Sequence, residues 1–320
     1  MIVDINLEKY SLGVKVLVAW LIYHQDSAIY NRKYIEFYIE EGAKQGIEVK
    51  LLLVEELEFG VKDGQWFLQY EKNEIAKPDF AICRAIYPLL SKQLEYMGIR
   101  VFNNSFVSEI CNDKAKTYQY LAKTGIKMVD SSFYRNGQLP KVMDQAEHPT
   151  VVKAVDGHGG SQVFLIHEER EAENTNKIEI TSNTQDTEYS SVLKGIGSSD
   201  VVVQPLTGTK NQDLRVYVIG TNIIAAVLRT AADGFKSNFS LGGKVCLYQL
   251  KPTEIELVRL IIDQFEFGLV GIDFILGDNG ELIFNEIEDV VGSRMLYQCS
   301  DINIVELYLF YIRSKLKEEG

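Results

Sequence analysis

The segment GIDFILGDNGELIFNEIE, Gly271–Glu288, reads as two strands joined by Gly277-Asp278-Asn279-Gly280. A Gly/Asp/Asn cluster between two apolar runs is a strong hairpin signal. Centring the hairpin on that turn sets Asp273 directly across from Phe284. Side chains alternate faces along a strand, so Phe284, Glu286 and Glu288 are expected on Asp273's face. Val270, Ile272 and Phe274 then point the other way, into a core. Glu286 becomes a diagonal neighbour of Asp273, within reach of a common ion. Three carboxylates on one face resist joint ionisation unless a cation sits among them. Hard divalent cations take oxygen ligands, and magnesium usually also binds phosphates. The same pattern describes a solvated acidic face beside a core, and the hairpin alone leaves both readings open.

Upstream, Val201–Gln204, Leu214–Ile219 and Ile223–Leu228 read as further strands, and Ile302–Leu316 as a closing helix with an apolar stripe of Ile302, Val305, Leu309 and Ile312. Arg215 and Arg229 occupy the adjoining apolar strands LRVYVIG and IIAAVLRT, either as ion-pair partners or as clamps for a transferring phosphoryl group. Earlier still, strands at Pro149–Val155 and Gln162–Ile166 flank Asp156-Gly157-His158-Gly159-Gly160-Ser161. That turn departs from the Walker pattern, yet it offers several backbone N–H groups with little side-chain bulk, a nest suited to phosphate as well as a plain tight turn. Lys153 lies just before it on a buried-looking strand, where a lysine needs an anionic partner. Lys114 starts a helix after Asp113, a place where a solvated lysine is also common. Lys236-Ser237-Asn238, after the turn Asp233-Gly234, adds further phosphate-reaching groups.

The first hundred residues alternate apolar runs and helical stretches: Val14–Ile22, a helix from Tyr30 to Gln45 with Asn31 as a cap, Val49–Val54, Phe80–Cys83, a helix ending near Gly98, and Arg100–Phe102. Such alternation predicts a parallel α/β sheet. A helix is expected from Asn112 to Lys123, closed by Gly125, and the polar stretch Glu171–Ser199 as a mobile segment or weak helix.

With 320 residues, two or three domains are the natural expectation. A net charge of −12 argues against broad nucleic-acid binding, which needs a basic surface. The four cysteines, Cys83, Cys111, Cys246 and Cys299, are scattered without a CxxC pair, which suits a reducing cytoplasm. No signal-like region opens the chain, and its longest apolar run is far short of a membrane span of about 20 residues. A cytoplasmic protein with no membrane or nucleic-acid partner is expected; a homo-oligomer is left open.

Taken in order, NDKAKTYQYLAKTGI, TVVKAVDGHGGSQVF, VVVQPLTGTKNQDLRVYVIG, AAVLRTAADGFKSNFSLGG and GIDFILGDNGELIFNEIEDVVGSR resemble the ATP-grasp superfamily, in particular its RimK-like and D-alanine–D-alanine-ligase-like carboxylate–amine ligases. The resemblance covers about residues 104–315. It implies an α/β chain, α+β in its C-terminal part, with the ATP-grasp fold behind a parallel α/β pre-ATP-grasp domain. The implied limits are an N-terminal domain at 1–104, a central ATP-grasp subdomain with the glycine-rich loop at 105–200, and a C-terminal subdomain with the metal site at 201–320.

The resemblance further implies ATP with Mg2+, Mn2+ being an acceptable substitute. Lys114 and Lys153 would contact the phosphates under the loop Gly157, His158, Gly159, Gly160 and Ser161, with Lys236 and Asn238 nearby. The Gln204 carbonyl and Leu206 N–H would hold adenine, and Asp213 the ribose. Arg229, with Arg215, would face the phosphoryl being transferred, and Asp273, Glu286 and Glu288 would bind the metal. Two positions depart from the family pattern: Val203-Gln204 stands where the linker often has a glutamate, and Glu288 where the third ligand is usually Asn. The implied reaction activates a substrate carboxylate as an acyl phosphate and joins it to an amine, on amino-acid or peptide substrates. Arg84, ending a strand, and Arg294, just past the carboxylates, are the candidate substrate contacts. A small-molecule kinase and a non-catalytic nucleotide sensor are the alternatives on the same fold.

Overall fold

The computed structural model describes residues 16–146, 149–160, 162–166, 183–208, 212–230 and 244–319. Strand β1, Leu17–Tyr23, is apolar throughout, as befits a strand covered on both faces. Two helices follow, α1 (Gln25–Tyr30) and α2 (Arg32–Lys44), where the sequence predicts one. They break at Asn31, whose side chain donates to the Ser27 carbonyl instead of capping α2. After β2 (Ile47–Leu53), the strands β3 (Leu57–Lys62), β4 (Gln65–Tyr70) and β5 (Asn73–Glu74) form a small antiparallel meander. Then β6 (Phe80–Cys83), α3 (Pro88–Tyr96) and β7 (Arg100–Phe102) complete a parallel sheet of order β2-β1-β6-β7.

Helices α4 (Ser105–Cys111) and α5 (Lys114–Leu121) lead into the second sheet; Asn104 and Asp113 cap them by accepting from Val107 and Lys116 N–H. Strand β8 (Ser132–Tyr134), helix α6 (Leu139–Asp144), β9 (Thr150–Ala154), β10 (Val163–Ile166), α7 (Asn183–Ile196) and β11 (Val201–Pro205) follow. Their antiparallel order is β10-β9-β11-β8. Leu139, Val192 and Ile196 from the helices pack on Val152, Ala154 and Val201.

The third sheet is built from β12 (Gln212–Ile219), β13 (Asn222–Thr230), β14 (Lys244–Leu247), β15 (Leu269–Leu276) and β16 (Leu282–Glu288), antiparallel in the order β14-β13-β12-β15-β16. Helix α8 (Pro252–Ile262) joins α4 and α5 against Val216, Ile272 and Phe274. Helices α9 (Arg294–Cys299) and α10 (Ile304–Glu319) bury Leu296, Val305, Leu309 and Ile312 in a core shared with Leu21, Tyr38 and Tyr217, with Ile302 partly buried beside them. The C-terminal helix thereby ties the first sheet to the third.

The β15–β16 register differs from the expected one. Asp273 pairs with Glu286, and Phe274 with Phe284, because Asn285 is the extra residue of a β-bulge. Centring the turn assumes an unbroken ladder. Burying both Phe274 and Phe284 completely in one core, while keeping Asp273 and Glu286 on the opposite face, requires that insertion. Phe284 therefore faces the core, away from the carboxylates.

Candidate active site

On the third sheet, one carboxylate oxygen from each of Asp273, Glu286 and Glu288 lies within 4.8 Å of the others. The bulge makes Glu286 a direct cross-strand neighbour of Asp273. Asp273 is only 1% exposed and is held by two arginines from the neighbouring strands. Arg215, its register partner on β12, donates from Nε to Oδ1 at 2.8 Å and from Nη2 to Oδ2 at 2.7 Å. Arg229 on β13 donates from Nη2 to Oδ2 at 2.7 Å and bonds Asp213, its own register partner. Arg215 Nη2 also lies 2.7 Å from Glu288. Burial alone would raise Asp273, but the two guanidiniums outweigh it and hold its pKa at about 2. Asp213, with burial dominating over Arg229, is pushed up to about 7, and burial likewise raises Glu288. Both arginines are thus ion-pair partners of carboxylates, and Arg229 also lines the adjacent cavity.

Lys153 stands on the opposite wall, and Lys114 reaches across between the two. Lys153 on β9 donates to Asn285 Oδ1 at 2.9 Å, a neutral partner, and burial pulls its pKa down to about 8. Lys114 opens α5; its Nζ donates to the Gly157 carbonyl and lies 3.4 Å from Glu286. Gly157 sits in a tight place: a Cβ there would lie 3.2 Å from Ala154 Cβ and 3.1 Å from Gln162 Cβ, so those neighbours would have to give by a few tenths of an ångström. Gly159 and Gly160 take left-handed φ values of 64° and 72°. His158, between Gly157 and Gly159, has a lowered pKa, from desolvation first and then from Lys114. Ser161, Lys236 and Asn238 lie outside the described residues.

Between the walls lies a cavity that brings together Lys114, Lys153, Gly157, Gly159, Gly160, Gln204, Leu206, Asp213, Arg229, Glu286 and Glu288. Val129, Val151, Val163 and Ile275 supply apolar surface to it. One expected contact is altered: the Leu206 N–H donates to the Pro149 carbonyl at 3.0 Å, because the chain beyond β11 continues alongside the start of β9. The Gln204 side chain bonds Ser131 Oγ at 2.8 Å. A second cavity lies against the same carboxylates and is lined by Arg84, His158, Lys114, Glu286 and Glu288. Arg294 is exposed and lines a third cavity, on the far side of Arg84, with its guanidinium 4.6 Å from the Tyr30 ring centroid.

Sequence reasoning passed over Asn285, the only neutral polar residue among the inner positions of β16, and the apolar slot, whose valines look like ordinary core. It also passed over the buried bridge in which Asn103 and Asn112 bond the two oxygens of Asp289 at 2.6 and 2.9 Å. That bridge anchors the chain just after Glu288 to the end of the first sheet. The FNN and CND segments signalled only turns and caps.

A model of the RimK-like ATP-grasp domain matches residues 111–312. The chain belongs to the RimK-like ATP-grasp family. It is therefore grouped with the C–N-bond-forming ATP-grasp ligases. The uncharacterized protein MG011 of Mycoplasma genitalium is 27% identical over 292 residues, covering 90% of this chain and 89% of that one. A probable alpha-L-glutamate ligase of Legionella pneumophila is 27% identical over 232 residues, 71% of each chain. Among solved structures, the ATP-grasp ligase PsnB complexed with a phosphomimetic variant of its minimal precursor, Mg and ADP superposes with a TM-score of 0.62. That likeness, at 14% identity over 95% of this chain and 100% of the other, is one of fold. Among the described residues no helix is long and apolar enough to cross a membrane.

Proposed function

We propose that this ATP-grasp ligase uses Mg2+ and ATP to activate a substrate carboxylate as an acyl phosphate, which an amine then converts to an amide. The reading is carried by one cavity, bordered by the glycine loop, onto which Glu286, Glu288 and both lysines open, with Asp273 buried directly behind the two glutamates. All three residues offer oxygen donors, as a hard divalent ion requires; among the described residues Glu286 has only Lys114 as an ion-pair partner, at 3.4 Å, whereas Asp273 and Glu288 would exchange arginine bonds for the ion. Bound there, Mg2+ would neutralise developing charge on the phosphoryl oxygens as a Lewis acid, and Mn2+ would serve in its place.

The chain's own groups supply the rest. Lys153 and Lys114 bind the phosphates, joined by backbone N–H groups of Gly157–Gly160. The valine-lined slot takes the base, Asp213 takes the ribose, and Arg229 faces the phosphoryl in flight. The Leu206 N–H serves adenine only after releasing Pro149. Transfer forms a bond from the substrate carboxylate to phosphorus and releases ADP. Amine attack then forms the C–N bond, breaks the C–O bond to phosphate, and frees a proton from nitrogen. Holding both reactants in line is the main contribution, since no side-chain nucleophile is needed. An amino acid or peptide is the substrate class, in keeping with the relative named as an alpha-L-glutamate ligase and the precursor-bound PsnB.

The test is ADP release from Mg–ATP against pools of carboxylic acids and amines. A productive pool should stimulate release and yield an amide, and Glu286→Gln should lower the rate by roughly 100-fold or more. Phosphorylated product without amide would convert the reading to a kinase. Tight ATP binding with no stimulation by any pool would convert it to a sensor.

A further inference from the structure

Strands β1 and β2 run parallel, and Tyr23 pairs with Leu53 at their C-terminal ends. The chain therefore leaves both strands side by side, where an α/β sheet presents its ligand-binding groups. Two titratable side chains meet there. His24 follows β1, and Glu55 lies on a 3₁₀ turn, Val54–Glu56, that follows β2. Glu55 Oε1 lies 3.1 Å from His24 Nδ1, and Oε2 accepts from the Gln25 N–H at 2.9 Å. With both oxygens engaged, the carboxylate is fixed in place. A carboxylate at Nδ1 selects the tautomer protonated there, which leaves Nε2 as the basic nitrogen.

The pair does little for the fold. His24 occupies the N-cap position of α1 without a side-chain capping bond. Its side chain is 43% exposed and that of Glu55 41%, and an ion pair so open to water contributes little stability. Yet His24 lines the second cavity, the one against Glu286 and Glu288, with Ser27 beside it. The charged or titratable groups on the rest of that wall include Arg84, Lys114, His158, Glu286, Glu288 and Asp289. Lys114, Glu286 and Glu288 line the nucleotide cavity as well, so the two spaces meet at the phosphate and metal groups. An imidazole oriented by a carboxylate and opening on a reaction cavity is the arrangement of a general base.

We infer that His24, oriented by Glu55, is the base that takes the proton from the attacking amine. The inference rests on the ligase reading and adds a residue to its second step. The neutral amine nitrogen forms a bond to the acyl carbon, and the C–O bond to phosphate breaks. The proton shed by nitrogen passes to His24 Nε2 and returns through solvent to the released phosphate. Glu55 balances the imidazolium in the interval. His24 is then a catalytic residue and Glu55 a positioning residue. The amine enters through the second cavity while the nucleotide fills the first.

The experiment supplies the full chain with Mg–ATP and, as acids, the common amino acids and their dipeptides, and captures product in two ways. Hydroxylamine, largely unprotonated near neutral pH, converts an acyl phosphate to a hydroxamate with little need of a base. An amino acid supplied as the amine gives an amide. Wild type should yield both. His24→Gln should lower the amide rate by roughly 100-fold and the hydroxamate rate by less than about threefold. Glu55→Gln should lower the amide rate by roughly tenfold, again sparing the hydroxamate. Should His24→Gln fail to fold, His24→Ala serves in its place, and added imidazole should restore part of its amide rate. An amide rate unmoved in His24→Gln, or amide and hydroxamate falling together, overturns the inference. Neither product from wild type with any acid brings down the ligase reading, and the base assignment with it.

Discussion

The two walls of the nucleotide cavity handle charge in opposite ways. On the third sheet, Asp273 is fully buried yet its oxygens carry three guanidinium hydrogen bonds, and Glu288 and Asp213 share the same two arginines. On the second sheet, Lys153 is half-buried against a side-chain amide, with Glu286 acting on it only at a distance. On the first wall Asp273 is neutralised by arginines before any ligand arrives, and Glu286 alone of the trio has no arginine partner among the described residues. The second holds a cation whose compensation comes from outside. The difference separates residues that hold the site together from residues that bind: breaking the first should cost stability, and breaking the second should cost affinity.

The largest expected effect is on the first wall. Arg215→Ala removes the bidentate partner of Asp273 and the only close partner of Glu288 among the described residues. A buried carboxylate left without its cation typically costs about 3–5 kcal/mol. Urea denaturation should read a loss of that size, with Arg229 retaining part of Asp273's charge balance. A loss under about 1 kcal/mol would show that the arginines are not the structural counter-ions of this sheet.

Lys153→Met sharpens the contrast. Deleting a cation that burial disfavours should leave the midpoint of unfolding unchanged or slightly raised, while weakening Mg–ATP binding by roughly 10–100-fold, about 1.4–2.7 kcal/mol. The pH dependence follows from the same group. Its folded pKa, about 8, lies below the ordinary 10.5, so between those values the unfolded chain binds the extra proton and stability rises with pH. Nucleotide affinity moves the other way. Above pH 8 the free protein loses the lysine's charge, and the association constant should fall by up to roughly tenfold per pH unit. Titrations at pH 7, 8, 9 and 9.5 should show that fall in wild type and a flatter profile in Lys153→Met.

How far the sequence carried these assignments depended on whether a signal was local. Strands β6, β7 and β15 run where their apolar runs placed them, and hairpin alternation put Asp273, Glu286 and Glu288 on one face while placing Phe284 on the wrong one. The meander β3–β5 escaped, although Asp63-Gly64 between Leu57–Lys62 and Gln65–Tyr70 is a readable hairpin turn. The bulge at Asn285 could not be read, because nothing in a strand's composition marks an extra residue when both neighbouring pairs satisfy their faces. Arginine roles were equally hidden. Arg215, Arg229 and Arg84 look alike as charged residues at or beside apolar strands, and only the partners assembled from distant segments distinguish the two paired with carboxylates from the one bonded to the carbonyls of Val290 and Val291.

Asn285 offers the smallest and most discriminating test, because it is where the two walls touch. The bulge on β16 directs its Oδ1 to Lys153 at 2.9 Å, so one residue of the carboxylate sheet positions the lysine of the other. Asn285→Ala removes that acceptor without altering any charge. A hydrogen bond to a charged group contributes about 1.5–3 kcal/mol, but here the lysine can turn toward Glu286 and recover much of it. The expected loss of stability is therefore about 1 kcal/mol, with a several-fold rise in KM for ATP and little change in kcat. Asn285→Asp should do the opposite to Lys153: the new carboxylate would pair with it, raise its pKa toward the ordinary value, and move the alkaline fall in nucleotide affinity above pH 9. If the fall stays near pH 8 in Asn285→Asp, another group sets it, and the second wall is not governed by Lys153.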